Sequence, residues 1–158
     1  MANRYDMEDL CDDVLAVMTT YFNAKLTEIN AAKNDGIVLD PIDSGAYSLQ
    51  QLNGKMLNYN PFCLYGIEDI ETVSQGPLSS DRFQISVTVV VKDSGEELEC
   101  GRRMFRYSRA LKEVFEKNWN DRQGVKFEIK SLVPVPLPNL NDGNSHRAVG
   151  IVLEGTLS

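Results

Sequence analysis

Five cations fall in eleven consecutive positions, Arg102, Arg103, Arg106, Arg109 and Lys112, within a stretch that runs Gly101–Arg102–Arg103–Met104–Phe105–Arg106–Tyr107–Ser108–Arg109–Ala110–Leu111–Lys112–Glu113–Val114–Phe115. At ~100° per residue, Arg102, Arg106 and Arg109 fall on one narrow helical stripe, with Met104, Tyr107, Leu111, Val114 and Phe115 opposite. The chemistry of such a stripe is anion recognition. The whole chain carries 16 basic and 23 acidic side chains, so outside this cluster 23 acids face 11 bases. Segregated charge of this kind serves association with an oppositely charged surface. Three roles are open to the stripe: a solvated helix face, a contact with an acidic neighbouring subunit, or a contact with RNA or DNA. Glu113 lies one turn from Arg109 and can pair with it, which favours the first two.

The remaining reactive residues do not converge in sequence. His146 is the only histidine, and without a G-x-S-x-G elbow it has no nucleophile in a recognisable setting, so it reads as a polar loop residue entering the last strand. Asn139, Asn141, Asp142 and Asn144 bunch oxygens around Gly143 but lack the spacing and closing Glu of a calcium loop; a turn accounts for them. Asp9, Asp12 and Asp13 sit in the first turns of a helix, where acids complement its dipole without any metal. No phosphate-cradling glycine motif occurs. Cys11, Cys63 and Cys100 are odd in number and far apart, which predicts buried thiols, not a disulfide framework or zinc knuckle. These residues imply no catalytic constellation, no cofactor and no metal.

The elements that carry these residues follow from periodicity. Asp6 is a helix N-cap with Asp9 three residues on, opening a helix to about Ala31 whose apolar arc is Leu10, Val14, Val17, Met18, Tyr21, Phe22, Leu26 and Ile29. Asn34–Asp35–Gly36 ends it. An irregular connection then spans 33–61, with a short helix around Tyr47–Leu52; so long a connection tends to be functional or ordered by a partner. Pro61 introduces a strand from Phe62 that extends through Ile70 and Val73. A loop over Gln75–Asp81 precedes Phe83–Val91, whose alternation of Phe83, Ile85, Val87, Val89 and Val91 with Gln84, Ser86, Thr88 and Val90 is the strongest strand signal. The arginine-striped helix runs to about Trp119. Val125, Phe127 and Ile129 alternate in a third strand, a Pro-rich loop at 133–147 interrupts pairing through Pro134, Pro136 and Pro138, and Ala148–Leu157 closes the sheet against the strand before it.

This order of elements predicts one domain over 1–158 in the α+β class: a mostly antiparallel β-sheet packed by two main α-helices, in two layers. With 42% hydrophobic and 25% charged residues the composition is that of a globular chain. The acid-rich start is not a secretory signal, and no apolar run approaches the ~20 residues that cross a bilayer. A net charge of −7 argues against a sequence-independent grip on the outside of DNA.

Taken over most of the chain, the pattern resembles the tail terminator, or neck, proteins of tailed bacteriophages. The resemblance is carried by the amphipathic first helix, the long connection, the Pro61–Phe62 strand, the alternating Phe83–Val91 strand, the helix Arg106–Tyr107–Ser108–Arg109–Ala110–Leu111 and the final strand Val149–Gly150–Ile151–Val152–Leu153. It implies a structural virion protein, made in the bacterial host cytoplasm and resident in the neck. Subunits of that family assemble as a ring, usually a hexamer, that caps the tail tube, meets the head connector or stopper protein and lets genomic DNA pass through its lumen without specific binding. The role is not enzymatic and involves no membrane. The stripe Arg102, Arg103, Arg106, Arg109 and Lys112 is then the candidate subunit interface. Another head–tail adaptor or completion protein of the neck, and a small cytosolic enzyme with an unrecognised site, are the alternatives.

Overall fold

The computed structural model describes residues 6–50, 54–75, 78–92, 97–119, 126–131, 135–137 and 146–157. It is α+β, with a mixed sheet beneath two long helical segments, as the sequence predicts. Helix α1 (Met7–Val17) continues through a π-helical turn (Met18–Phe22) into α2 (Asn23–Lys33). The Asp6 carboxylate accepts from Asp9 N–H at 2.9 Å while the Asp9 carboxylate accepts from Asp6 N–H at 3.0 Å, so the expected N-cap is a reciprocal capping box. The π turn changes one expectation. Tyr21 belongs to the apolar arc of a regular α-helix, but the extra residue per turn rotates it outward to 42% exposure and Phe22 takes the buried position. Thr19 Oγ1 donates to Leu15 O at 2.9 Å within this segment.

Among the described residues, six strands form one sheet. They are β1 (Tyr47–Leu49), β2 (Phe62–Gln75), β3 (Leu78–Lys92), β4 (Lys126–Ser131), β5 (Val135–Leu137) and β6 (His146–Leu157). The order is β1-β2-β3-β6-β4, with β5 also on β6. All pairs are antiparallel except β1 with β2. Helix α3 (Glu97–Asn118) packs over β6 and β4, and α1 over β2. Phe83, Ile85, Val87, Val89 and Val91 are buried with Val149, Ile151 and Leu153 in the same core as Leu10, Val14, Phe22, Leu111 and Phe115, whereas Gln84, Ser86 and Thr88 lie partly open on the other sheet face. A bulge between Ile67 and Asp69 shifts the β2–β3 register by one, so Ile70 pairs with Phe83 instead of falling out of phase. Gly150 has a specific reason to be glycine: a Cβ there would come 2.6 Å from Val87 O.

Three local expectations need correction. Tyr47–Leu49 is a strand and not a short helix, because the free edge of β2 offers it a parallel ladder: Cys63 N–H donates to Ala46 O at 2.8 Å and Gln50 N–H to Tyr65 O at 2.9 Å. The Gln75–Asp81 loop is shorter than expected, since β2 reaches Gln75 and Leu78 to Asp81 already pair. The Pro-rich loop at 133–147 is also shorter than expected, because Val135–Leu137 pairs with Ala148–His146. Proline is compatible with pairing at an outer strand, where the missing N–H need not face a partner.

Candidate interaction surface

The cationic helix α3 divides its arginines between two jobs. Arg106 is only 7% exposed. Its guanidinium grips the Asp35 carboxylate through both terminal nitrogens and also donates to Ile37 O at 3.2 Å. Arg106 therefore anchors the chain leaving α2 and is not available to a neighbouring subunit, which corrects its place in the candidate interface. A planar, five-donor guanidinium suits this task, holding a carboxylate and a carbonyl together. Hydrogen bonding from the Arg106 guanidinium holds the Asp35 carboxyl far below the usual carboxylate range. Arg103 is half-buried and pairs with Glu99 at 2.8 Å. Arg109 pairs with Glu113 at 3.0 Å, as its spacing predicts, and Lys25 reaches the same carboxylate at 2.9 Å from α2. Those two cations lower the Glu113 pKa.

What remains outward is a seam that the stripe alone did not reveal. Leu98, Arg102, Phe105, Arg109, Lys112 and Glu116 are exposed at alternating spacings of four and three residues, which stacks them along one face of α3. Leu98 is 73% and Phe105 67% exposed. Arg102 is 3.9 Å from Asp35 and Lys112 is 3.9 Å from Glu116, loose pairs that leave both cations in solvent. Lys33, Arg102, Phe105, Arg106 and Arg109 line a shallow depression of about 290 Å³. This surface can seat an acidic element with an apolar group at its middle. In sequence Phe105 stands as one apolar residue inside a cationic stretch, with nothing in its immediate neighbours to mark it as outward. Its offset of seven from Leu98 was the available signal.

The start of the connection beside this surface is bonded to α2. Asn30 donates to Leu39 O at 3.1 Å and accepts from Leu39 N–H at 2.8 Å; Asn23 donates to Ile42 O and accepts from Ile42 N–H, both at 2.9 Å. Seven helical residues rise ~10.5 Å and three extended ones span ~10 Å, so the two amides match a strand-like segment laid along α2. Tyr107 Oη donates to Asp40 O at 2.9 Å, and burial raises the Tyr107 pKa. Nothing in the sequence separates either asparagine from a solvated helical one.

Elsewhere the reactive groups stay apart. His146 opens β6 and is 1% exposed, edge-on to Phe62 with ring centroids 6.4 Å apart, so it is a core residue and not a polar loop residue. Cys11, Cys63 and Cys100 are buried and outside any disulfide, as expected, and burial raises the pKa of Cys11 and Cys63. Asn139, Asn141, Asp142 and Asn144 lie outside the described residues. Among the described residues no group of three His, Cys, Asp or Glu side chains could hold a metal ion, and no helix is long and apolar enough to cross a membrane. A polar groove of about 340 Å³ on the open sheet face brings together Glu71, Arg82, Gln84 and Glu154, with Gln84 Nε2 donating to Glu154 Oε1 at 2.6 Å. No family model matches the chain, and no curated protein matches it.

Proposed function

We propose that the protein is a structural subunit of a tailed-phage neck, a tail terminator that assembles as a ring, caps the tail tube and joins it to the head connector while DNA passes through. The observation that carries this reading is the outward seam of α3. Two large apolar side chains two helical turns apart, framed by Arg102, Arg109 and Lys112, form a patch suited to docking. The two-layer α+β architecture agrees with the family that the sequence resembles. The charge balance supports the same reading, since an excess of carboxylates outside the cationic cluster repels phosphate and suits a passage that a duplex crosses without sticking.

The test is to purify the protein, image it by electron microscopy and add it to growing tail tubes. Rings that bind tube ends and halt elongation are the expected result. A protein that stays monomeric at all concentrations and leaves tube lengths unchanged would refute the reading. Binding to head connectors but not tubes would place the subunit elsewhere in the neck.

A further inference from the structure

We infer that the outward seam of α3 in one copy receives the acidic start of α1 from the next copy, with Phe105 at the centre of the contact. The inference deepens the ring-forming reading and rests on it in taking the partner to be a second copy of this chain.

The two surfaces are complementary in charge. Asp6, Glu8, Asp9, Asp12 and Asp13 place five acids in eight residues with no base among them. Glu8, Asp9 and Asp12 are exposed, and Glu8 and Asp12 lie one turn apart on the same row. The seam offers Arg102, Arg109 and Lys112, with Lys33 beside Arg102 in the shallow depression.

The Arg102 end of the seam is out of reach of the acidic start of α1 within one subunit. α1, the π turn and α2 form one uninterrupted helix, since the residues at both junctions keep right-handed helical dihedrals. Asp9 and Lys33 are 24 residues apart on it, about 36 Å at 1.5 Å per residue. No side chain spans that, and it exceeds the ~8 Å screening length at physiological salt several times over. α2 runs antiparallel to α3, with Lys25 on Glu113 and Asp35 on Arg106. The acidic start of α1 therefore lies at the opposite end of the helical layer from Arg102.

One layer thus carries exposed carboxylates at one end and, towards the other, Arg102 and Lys33 beside the exposed Phe105, with Asp35 and Glu99 already engaged by Arg106 and Arg103. Joined head to tail, unlike poles make a heterologous contact that generates closed rings or open filaments, whereas two antiparallel copies would satisfy both poles in a two-fold dimer; the ring-forming reading selects the head-to-tail arrangement, and the sedimentation coefficient separates the two. Arg106 does not take part, because Asp35 already holds it.

The test uses the full-length protein and charge exchange, read by sedimentation velocity and native mass spectrometry. Glu8→Lys with Asp12→Lys on the acidic side, or Arg102→Glu with Arg109→Glu on the cationic side, sets like charges against each other. Each should raise the dissociation constant of assembly by at least about tenfold while the circular dichroism of the subunit is kept. An equimolar mixture of the two variants restores both opposite-charge contacts and should assemble, as should a chain carrying all four substitutions. Phe105→Ser, at an exposed position, should weaken assembly without changing the fold. If the parent never assembles, the ring reading and this contact fall together. If the parent assembles and either one-sided variant does so equally well, or neither the mixture nor the four-substitution chain recovers, this contact is overturned while the ring reading stands.

Discussion

Asn30→Ala isolates the device that holds the connection against α2. The substitution removes two hydrogen bonds, at 3.1 and 2.8 Å, and leaves both backbone polar groups of Leu39 without that partner in a residue only 1% exposed. A net hydrogen bond contributes ~0.5–1.5 kcal/mol, and a buried group left without its partner costs ~1–3 kcal/mol. The two losses together give about 2–3 kcal/mol. For a chain of this size each kcal/mol lowers the melting temperature by roughly 2–4 °C, so Asn30→Ala should melt about 5–10 °C below the parent. Calorimetry measures the shift, and hydrogen exchange localises it, because the Leu39 amide should become fast while the amides of Val87 and Ile151 keep their order of protection. Asn30→Asp keeps the acceptor for Leu39 N–H and loses only the donor, so it should protect that amide better than Asn30→Ala. Asn23→Ala should cost a similar amount at Ile42. An Asn30→Ala protein that melts within about 1 °C of the parent refutes the reasoning.

Other outcomes follow from the same structure. Val87→Asp and Ile151→Asp each place an unpaired carboxylate at a fully buried pair of facing strand positions and should unfold the chain, seen as loss of the cooperative melt. Gly150→Ala forces a Cβ against the Val87 carbonyl and should destabilise by about 1–3 kcal/mol in denaturant titration, with larger side chains failing to fold. Because Arg106 lowers the Asp35 pKa, that carboxylate adds stability above its unfolded pKa, and the contribution is lost as pH falls through the folded value. Asp35→Asn should therefore flatten the acid limb of a stability-versus-pH curve, while leaving the alkaline limb, where Lys25 loses its proton, unchanged.

The parts of the fold legible in sequence are those where one face of a regular element meets the core. Phe83–Val91 and the apolar side of α3 declare themselves by period alone, because burial of alternate or every third to fourth residue is a local pattern with a tertiary cause. The parts that were illegible depend on partners distant in sequence. Three residues at Tyr47–Leu49 have no period to read, and the free edge of β2 decides their state. Val135–Leu137 looks like a proline-broken loop until an outer position on β6 is available. Asn23 and Asn30 carry the same side chain as any solvated helical asparagine, and only an extended segment lying alongside at matching pitch turns each into a two-bond clamp.

The cationic stripe shows the same limit at the candidate site. Arg102, Arg106 and Arg109 are equivalent by helical position, yet Asp35 takes Arg106 out of the outward set and fixes the connection beside it. That capture has a consequence for the seam. With Tyr107 bonded to Asp40, Arg106 to Asp35 and Lys25 to Glu113, α3 is tied along its flank as well as on its buried face. A surface held on two sides undergoes little ordering when a partner docks, so less of its contact energy is spent on immobilisation. The internal ion pair and the outward cations are therefore complementary: one secures the helix, and the others face whatever it meets. Breaking Asp35–Arg106 should then weaken assembly indirectly, by loosening the helix, while Arg102→Glu with Arg109→Glu should weaken it directly, with a melting shift limited to the few tenths of a kcal/mol of the like-charge contacts it sets at Asp35 and Glu113.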